Sequence, residues 1–205
     1  MGRVELPAQV EIGERTYNRV SIFKHDSWAA TALYENGSKR IVVKFNRQQS
    51  ILGIPMRWLG RALARRETKM LRRLSSIVYV PAACGHVKID GRVDSTATAH
   101  DYVPGRSLLA TYRVDDKFFP QLTTLLSQLH EHNVAYVDLH KRDNILVDGN
   151  GAPHLIDFQI SLHLPRVWPV SYLLNILQRC DRYHLAKHMH YFRPDQCEEP
   201  IDRPA

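Results

Sequence analysis

Residues 136–146 read YVDLHKRDNIL. Asp138 opens the stretch, Lys141 and Arg142 fill it, and Asn144 closes it directly before an apolar run of β type, Ile145-Leu146-Val147. An Asp-Gly-Asn-Gly turn follows at 148–151, and a second apolar run ends in Asp157 (HLIDFQ, 154–159). Such punctuation predicts loop, short strand, tight turn and short strand. Oxygen side chains at strand ends suit a hard cation such as Mg²⁺, which keeps several of its own waters and needs few protein ligands. A carboxylate in the same loop can orient a hydroxyl group. Asn144 is read as one metal ligand, with Asp143 as the competing choice, and Asp157 as the other.

Working outward, FFPQLTTLLSQLHEHN (118–133) places Leu122, Leu125, Leu126 and Leu129 on one helical face. The tail, 168–192, is rich in Leu, Tyr and His and reads as a helical pair. The first half reads as strands followed by one helix. VSIFKHDSWAATALYE (20–35) has two β-like ends around a polar centre, ENGS (35–38) is a turn, and KRIVVKFN (39–46) is a strand. From Met56, apolar residues recur with helical spacing at Leu59, Leu63, Met70, Leu71 and Leu74, with Glu67 among them. VYVPAACGHVKIDGRVDST (78–96) predicts short strands around a KIDGR turn, and ATAHDYVPGRSL (97–108) another strand stopped by Pro-Gly.

Phosphoryl transfer asks the protein for a cation on the nucleotide phosphates, metal ligands and a carboxylate near the attacking hydroxyl. Lys44, inside VVKF at a strand end, supplies the cation. Glu67, 23 residues later on the predicted helix, is its candidate partner; a helix-surface Glu among arginines reads the same way.

These residues together resemble the protein-kinase-like superfamily. The match runs from about residue 20 to 192 and is most specific over 136–160. Within the superfamily the compact bacterial lipopolysaccharide kinases, the Kdo and heptose kinase group, look nearest. The resemblance implies an α+β, two-lobe fold: a small β-rich N-lobe with one main helix (1–100), a connector (101–108) and a reduced, mainly helical C-lobe (109–205). It implies ATP and Mg²⁺ as cofactors. Asp138 is then the catalytic carboxylate, Asn144 and Asp157 the metal ligands, and Lys44, positioned by Glu67, the phosphate contact.

The chain departs from the family pattern in instructive ways. Six steps separate Asp138 from Asn144, where the kinase loop H-R-D-L-x-x-x-N has five. The Asn144-to-Asp157 spacing matches, so the additional residue lies between Asp138 and Asn144, where a loop absorbs it more cheaply than a strand. Tyr136 and Val137 replace the usual His-Arg, which removes the docking charge for a phosphorylated activation loop. Gln159 replaces the glycine of D-F-G. No G-x-G-x-x-G occurs; KHDSWAAT (24–31) takes its place. Only 46 residues follow Gln159 and no A-P-E appears, which points to a glycan, lipid-linked or other small acceptor rather than a peptide.

Composition sets the remaining bounds. The 205 residues carry a net charge of +7, favouring anionic partners. Residues 39–73 hold eleven Lys and Arg against one acid, Glu67. ILGIPMRWLGRALARR (51–66) suits either peripheral contact with an anionic membrane or a lobe helix burying Trp58 and Leu63 against the sheet. Three scattered cysteines and the lack of an apolar leader fit a reduced cytoplasmic chain, peripheral at most to the inner membrane face. No RNP-like or KH-type motif favours nucleic acid. The histidines His184, His188 and His190 read as surface or packing residues; His140 and His154 flank the proposed site. Two rivals stay open: a minimal RIO-like serine/threonine protein kinase, and a catalytically silent pseudokinase scaffold.

Overall fold

The computed structural model describes residues 5–25, 29–48, 56–111 and 113–197. Two compact units emerge, one made of residues 1–75 and 81–102, the other of 76–80 and 103–205.

The first unit is a seven-stranded antiparallel sheet with one helix. Its strands are β1 (Gln9–Ile12), β2 (Arg15–His25), β3 (Ala29–Asn36), β4 (Lys39–Asn46), β5 (Val87–Ile89), β6 (Arg92–Val93) and β7 (Ala97–Asp101), in the order β6-β5-β1-β2-β3-β4-β7. Helix α1 spans Arg57–Arg73. The ENGS turn joins β3 to β4, pairing Asn36 with Lys39. In the KIDGR turn Asp90 and Gly91 both have positive φ, the geometry of a two-residue hairpin.

Strand period explains which side of β4 does what. Ile41, Val43 and Phe45 are fully buried in a cluster with Tyr34, Val87 and Ala99. Val42, Lys44 and Asn46 take the opposite face, where α1 packs. The buried line of α1 is Gly60, Ala64, Glu67 and Leu71, continued by Leu74. Its small residues let the helix sit close: a Cβ on Gly60 would stand 2.6 Å from the Arg47 carbonyl oxygen. This corrects the lobe-helix expectation, because Trp58 is 61% exposed and Leu63 only half-buried. The bulky residues flank a contact that a narrow stripe of small ones makes. Residues 51–55 of the basic stretch, and Asp26, Ser27 and Trp28 of KHDSWAAT, lie outside the described residues.

The second unit holds β8 (Gly105–Ser107), α2 (Phe118–Glu131), β9 (Val134–Ala135), β10 (Ile145–Asp148), β11 (Pro153–Leu155), β12 (Leu162–His163) and α3 (Val170–Phe192). β10 lies between β11 and β8, and β12 pairs with β9. Helix α2 buries the four expected leucines with Phe118 and Phe119. It ends as Asn133 turns left-handed (φ 58°), a conformation Asn tolerates. The segment 76–80 joins this unit through Leu155 N–H donating to the Tyr79 carbonyl.

The tail is one helix rather than the expected pair. No Gly or Pro interrupts 170–192, and Leu174, Gln178, Asp181, Leu185 and His188 form one buried seam at spacings of four and three. A single continuous seam buries one face along the full length and leaves no place for a break.

Candidate functional site

The first unit holds the predicted Lys44–Glu67 ion pair. Lys44 on β4 and Glu67 on α1 approach to 3.8 Å, with side chains 11% and 2% exposed. Strand period and helix period thus turn two residues far apart in sequence toward each other. Charges this sheltered interact far more strongly than a surface pair. Thr68, next to Glu67, shares a hydroxyl hydrogen bond of 2.8 Å with Thr98 on β7, which helps fix the rotation of α1.

In the second unit the loop between β9 and β10 closes on itself. Asn144 Nδ2 donates to Asp138 Oδ2 at 2.8 Å, and Lys141 Nζ donates to the same oxygen at 2.9 Å. The longer loop therefore still brings its end residues into contact. Asp138 Oδ1 is buried and accepts no hydrogen bond among the described residues; His140 Nδ1 stands 3.5 Å from it. With its amide nitrogen committed to Asp138, Asn144 has its amide oxygen as the atom able to ligate a cation. Asp143 is exposed and its Oδ1 accepts from Ser107 Oγ at 3.2 Å.

Asp157 is tied to this loop through its neighbour. Ile156 N–H donates to the Asn144 carbonyl at 3.0 Å, and the Tyr136 hydroxyl donates to the Ile156 carbonyl. Tyr136 is fully buried, stacks edge-on against Phe158 with centroids 5.1 Å apart, and accepts from Ser161 Oγ through its carbonyl. Tyr136 thus ties Asp138's end of the loop to the segment that carries Asp157. The turn that sets the distance from Asn144 to Asp157 is capped by Asp148, whose Oδ1 accepts from Asn150 and Ala152 N–H and whose Oδ2 meets His154 Nε2 at 3.0 Å. Burial pushes the Asp148 carboxyl up, but the His154 contact and the two backbone N–H groups outweigh it and hold it below the usual value.

Two strained residues frame the site. Val137 (φ 71°) and Asp157 (φ 57°) are both left-handed, and for a β-branched valine this is an outlier. Asp181 of α3 stabilises the first. It is fully buried, and its carboxylate accepts from Tyr136 N–H and Val137 N–H at 2.8 Å each and contacts His130 Nε2 at 3.2 Å. Sequence reasoning missed Asp181 and Lys141. The signal for Asp181 was an acid at the helical spacing of Leu174, Gln178, Leu185 and His188, hidden because the tail was read as two helices. His188, expected to be a surface or packing residue, is packed: Nε2–H donates to the Leu139 carbonyl at 2.7 Å. Burial holds His188 below its usual pKa against the Leu139 contact, with Arg142 adding to the depression.

Among the described residues no three His, Cys, Asp or Glu side chains converge to hold a metal. One amide oxygen and one carboxylate are hard oxygen donors, the kind of pair Mg²⁺ accepts while retaining waters. The residues fit.

No protein-family model matches the chain, and no curated protein does. Among solved structures it is similar to Rio2 kinase from Chaetomium thermophilum, crystallised as an ADP/Mg²⁺-phosphoaspartate complex. The TM-score is 0.62 at 16% identity, covering 89% of this chain and 60% of that one. The fold is protein-kinase-like. The α+β, two-lobe expectation therefore holds. The likeness shows the fold alone, and the chain spans about 60% of the length of the Rio2 chain it matches. No helix among the described residues is long and apolar enough to cross a membrane.

Proposed function

We propose that the chain is an ATP- and Mg²⁺-dependent phosphotransferase acting on a hydroxyl acceptor. The observation that carries this reading is the Asp138 carboxylate. One oxygen is fixed by Asn144 and Lys141, while the other is buried and accepts no hydrogen bond among the described residues, with His140 Nδ1 3.5 Å away. A buried acceptor atom left unpaired is costly, and an acceptor hydroxyl is the donor it lacks.

In this reading Asp138 Oδ1 accepts the hydrogen bond of the acceptor hydroxyl and takes its proton as the oxygen attacks the γ-phosphorus of ATP. The new O–P bond replaces the bond to ADP, which leaves. Asn144 and Asp157 would hold Mg²⁺, which neutralises phosphate charge when bound. Lys44, steadied by Glu67, contacts the nucleotide phosphates. Lys141 sits beside Asp138 and offers a cation to the transferred group. With little covalent chemistry required, positioning and charge carry the catalysis.

For the acceptor we favour a lipopolysaccharide-type glycan or another small hydroxyl compound at the cytoplasmic membrane face. Trp58, Arg57, Arg61 and Arg65 are exposed on α1, and aromatic and basic groups together suit an anionic headgroup surface. The similarity to Rio2 kinase supports a second reading, a RIO-like kinase acting on protein serine. Incubation with γ-labelled ATP, Mg²⁺ and separate lipid-glycan and protein fractions decides between them. Label is expected in the lipid-glycan fraction and absent with Asp138→Asn. Label in protein alone establishes the second reading, and label in neither leaves a scaffold without catalysis.

A further inference from the structure

Six steps separate Asp138 from Asn144, yet the two side chains meet at 2.8 Å. Something must hold the intervening residues so that the longer loop does not drift. Inside the loop, Lys141 N–H donates to the Asp138 carbonyl and Asn144 N–H to the Lys141 carbonyl, both at 3.1 Å. From outside, α3 grips it twice. His188 holds the Leu139 carbonyl, and three residues on, the Arg142 guanidinium lies over the Tyr191 ring at 4.0 Å and near Phe192 at 5.2 Å. Among the described residues Arg142 makes no ion pair. A cation above an aromatic face is attracted by the ring quadrupole.

The aromatic platform is itself braced. Phe192 packs on Tyr191 and against Phe119 of α2, with centroids 4.9 and 6.5 Å apart. Arg193 follows directly and reaches Asp116, just before α2, at 2.7 Å. The end of α3 is therefore linked to the start of α2, and Arg142 rests on a surface built outside the loop.

We infer that Arg142 and Tyr191 form a clamp that, with the His188 contact, seats the lengthened loop on α3 and so helps set the Asp138–Asn144 contact. Neither touches the reacting atoms; both are positioning residues, and their kinetic role rests on the phosphotransferase reading above. The clamp accounts for how one additional residue is absorbed: it is taken up between two anchors, at Leu139 and Arg142, without displacing either end.

The test compares the full chain with Arg142→Met, Tyr191→Leu, Arg142→Lys and Tyr191→Trp. Hydrogen exchange of the 139–144 amides is followed by mass spectrometry without nucleotide, alongside kcat and the KM for ATP. Arg142→Met and Tyr191→Leu are expected to raise exchange at 139–144 about tenfold, with the remaining amides unchanged. They also lower kcat about tenfold at constant KM, since small misplacements of catalytic groups are expensive. Arg142→Lys and Tyr191→Trp keep a cation and a π face and stay near the parent in both. Unchanged exchange at 139–144, equal changes in all four variants, or a rise spread over the whole chain overturns the clamp. A parent chain without transferase activity sinks the phosphotransferase reading and leaves the exchange data to decide the clamp.

Discussion

Asp138→Asn is expected to lower phosphoryl transfer by about 10²–10⁴-fold, the usual contribution of a positioned general base, while the chain stays folded. The substitution keeps shape and one acceptor oxygen, so the Asn144 contact at 2.8 Å can persist. It removes the charge facing Lys141, but that lysine is 53% exposed, and ion pairs open to water contribute little to stability. What it abolishes is a basic oxygen at the buried Oδ1 position, which accepts no hydrogen bond among the described residues. Turnover at saturating Mg²⁺ and ATP, read beside a thermal melt, checks both halves. Near-parental turnover in a folded variant removes Asp138 from the mechanism.

Asp181→Ala is expected to cost about 3–5 kcal/mol of folding stability, the range for breaking a buried charged contact by deleting one partner. Asp181 is fully buried on α3. Its loss leaves the N–H groups of Tyr136 and Val137 without this acceptor, each worth about 1–3 kcal/mol when buried and unpaired, and takes away the contact at His130 Nε2. Those same N–H contacts hold Val137 at φ 71°, a conformation that costs a β-branched residue about 1–2 kcal/mol. Released, Val137 relaxes and carries Asp138 with it, so activity falls along with stability. Asp181→Asn, which keeps one acceptor oxygen, loses less. Equilibrium urea unfolding gives the number, and a loss below about 1 kcal/mol for the alanine variant contradicts this role for Asp181.

Much of this was written locally in the chain. The ENGS and KIDGR turns, the alternation Ile41-Val43-Phe45 and the leucines of 118–133 are short-range signals, and each element formed where its period or turn chemistry said. The pairing of Lys44 with Glu67 was legible for the same reason: each lies on a predictable face of a predictable element. Trp58 misled because size suggested burial, whereas close helix–sheet approach requires Gly60 and Ala64 at the contact. The tail misled because polar Gln178, Asp181 and His188 break an apolar pattern that the fold completes with buried hydrogen bonds. Asp181 and Arg142 act on residues 45 and about 50 positions away, and no local period announces a partner at that range. The loop's extra residue was located by spacing alone; how it is held needed coordinates.

The central claim is that Asp157 and Asn144 hold a divalent ion for a bound nucleotide. Thermal melts of the parent and Asp157→Asn with excess ADP, with and without Mg²⁺, address it most directly. At a ligand concentration about 100-fold above Kd, binding stabilises by about 2.7 kcal/mol, which for a chain of this size raises Tm by about 5–10 °C. The parent is expected to show that rise only when Mg²⁺ accompanies ADP, and Asp157→Asn to show little of it. An equal rise in both proteins, or no rise in the parent at any Mg²⁺ concentration, contradicts the account.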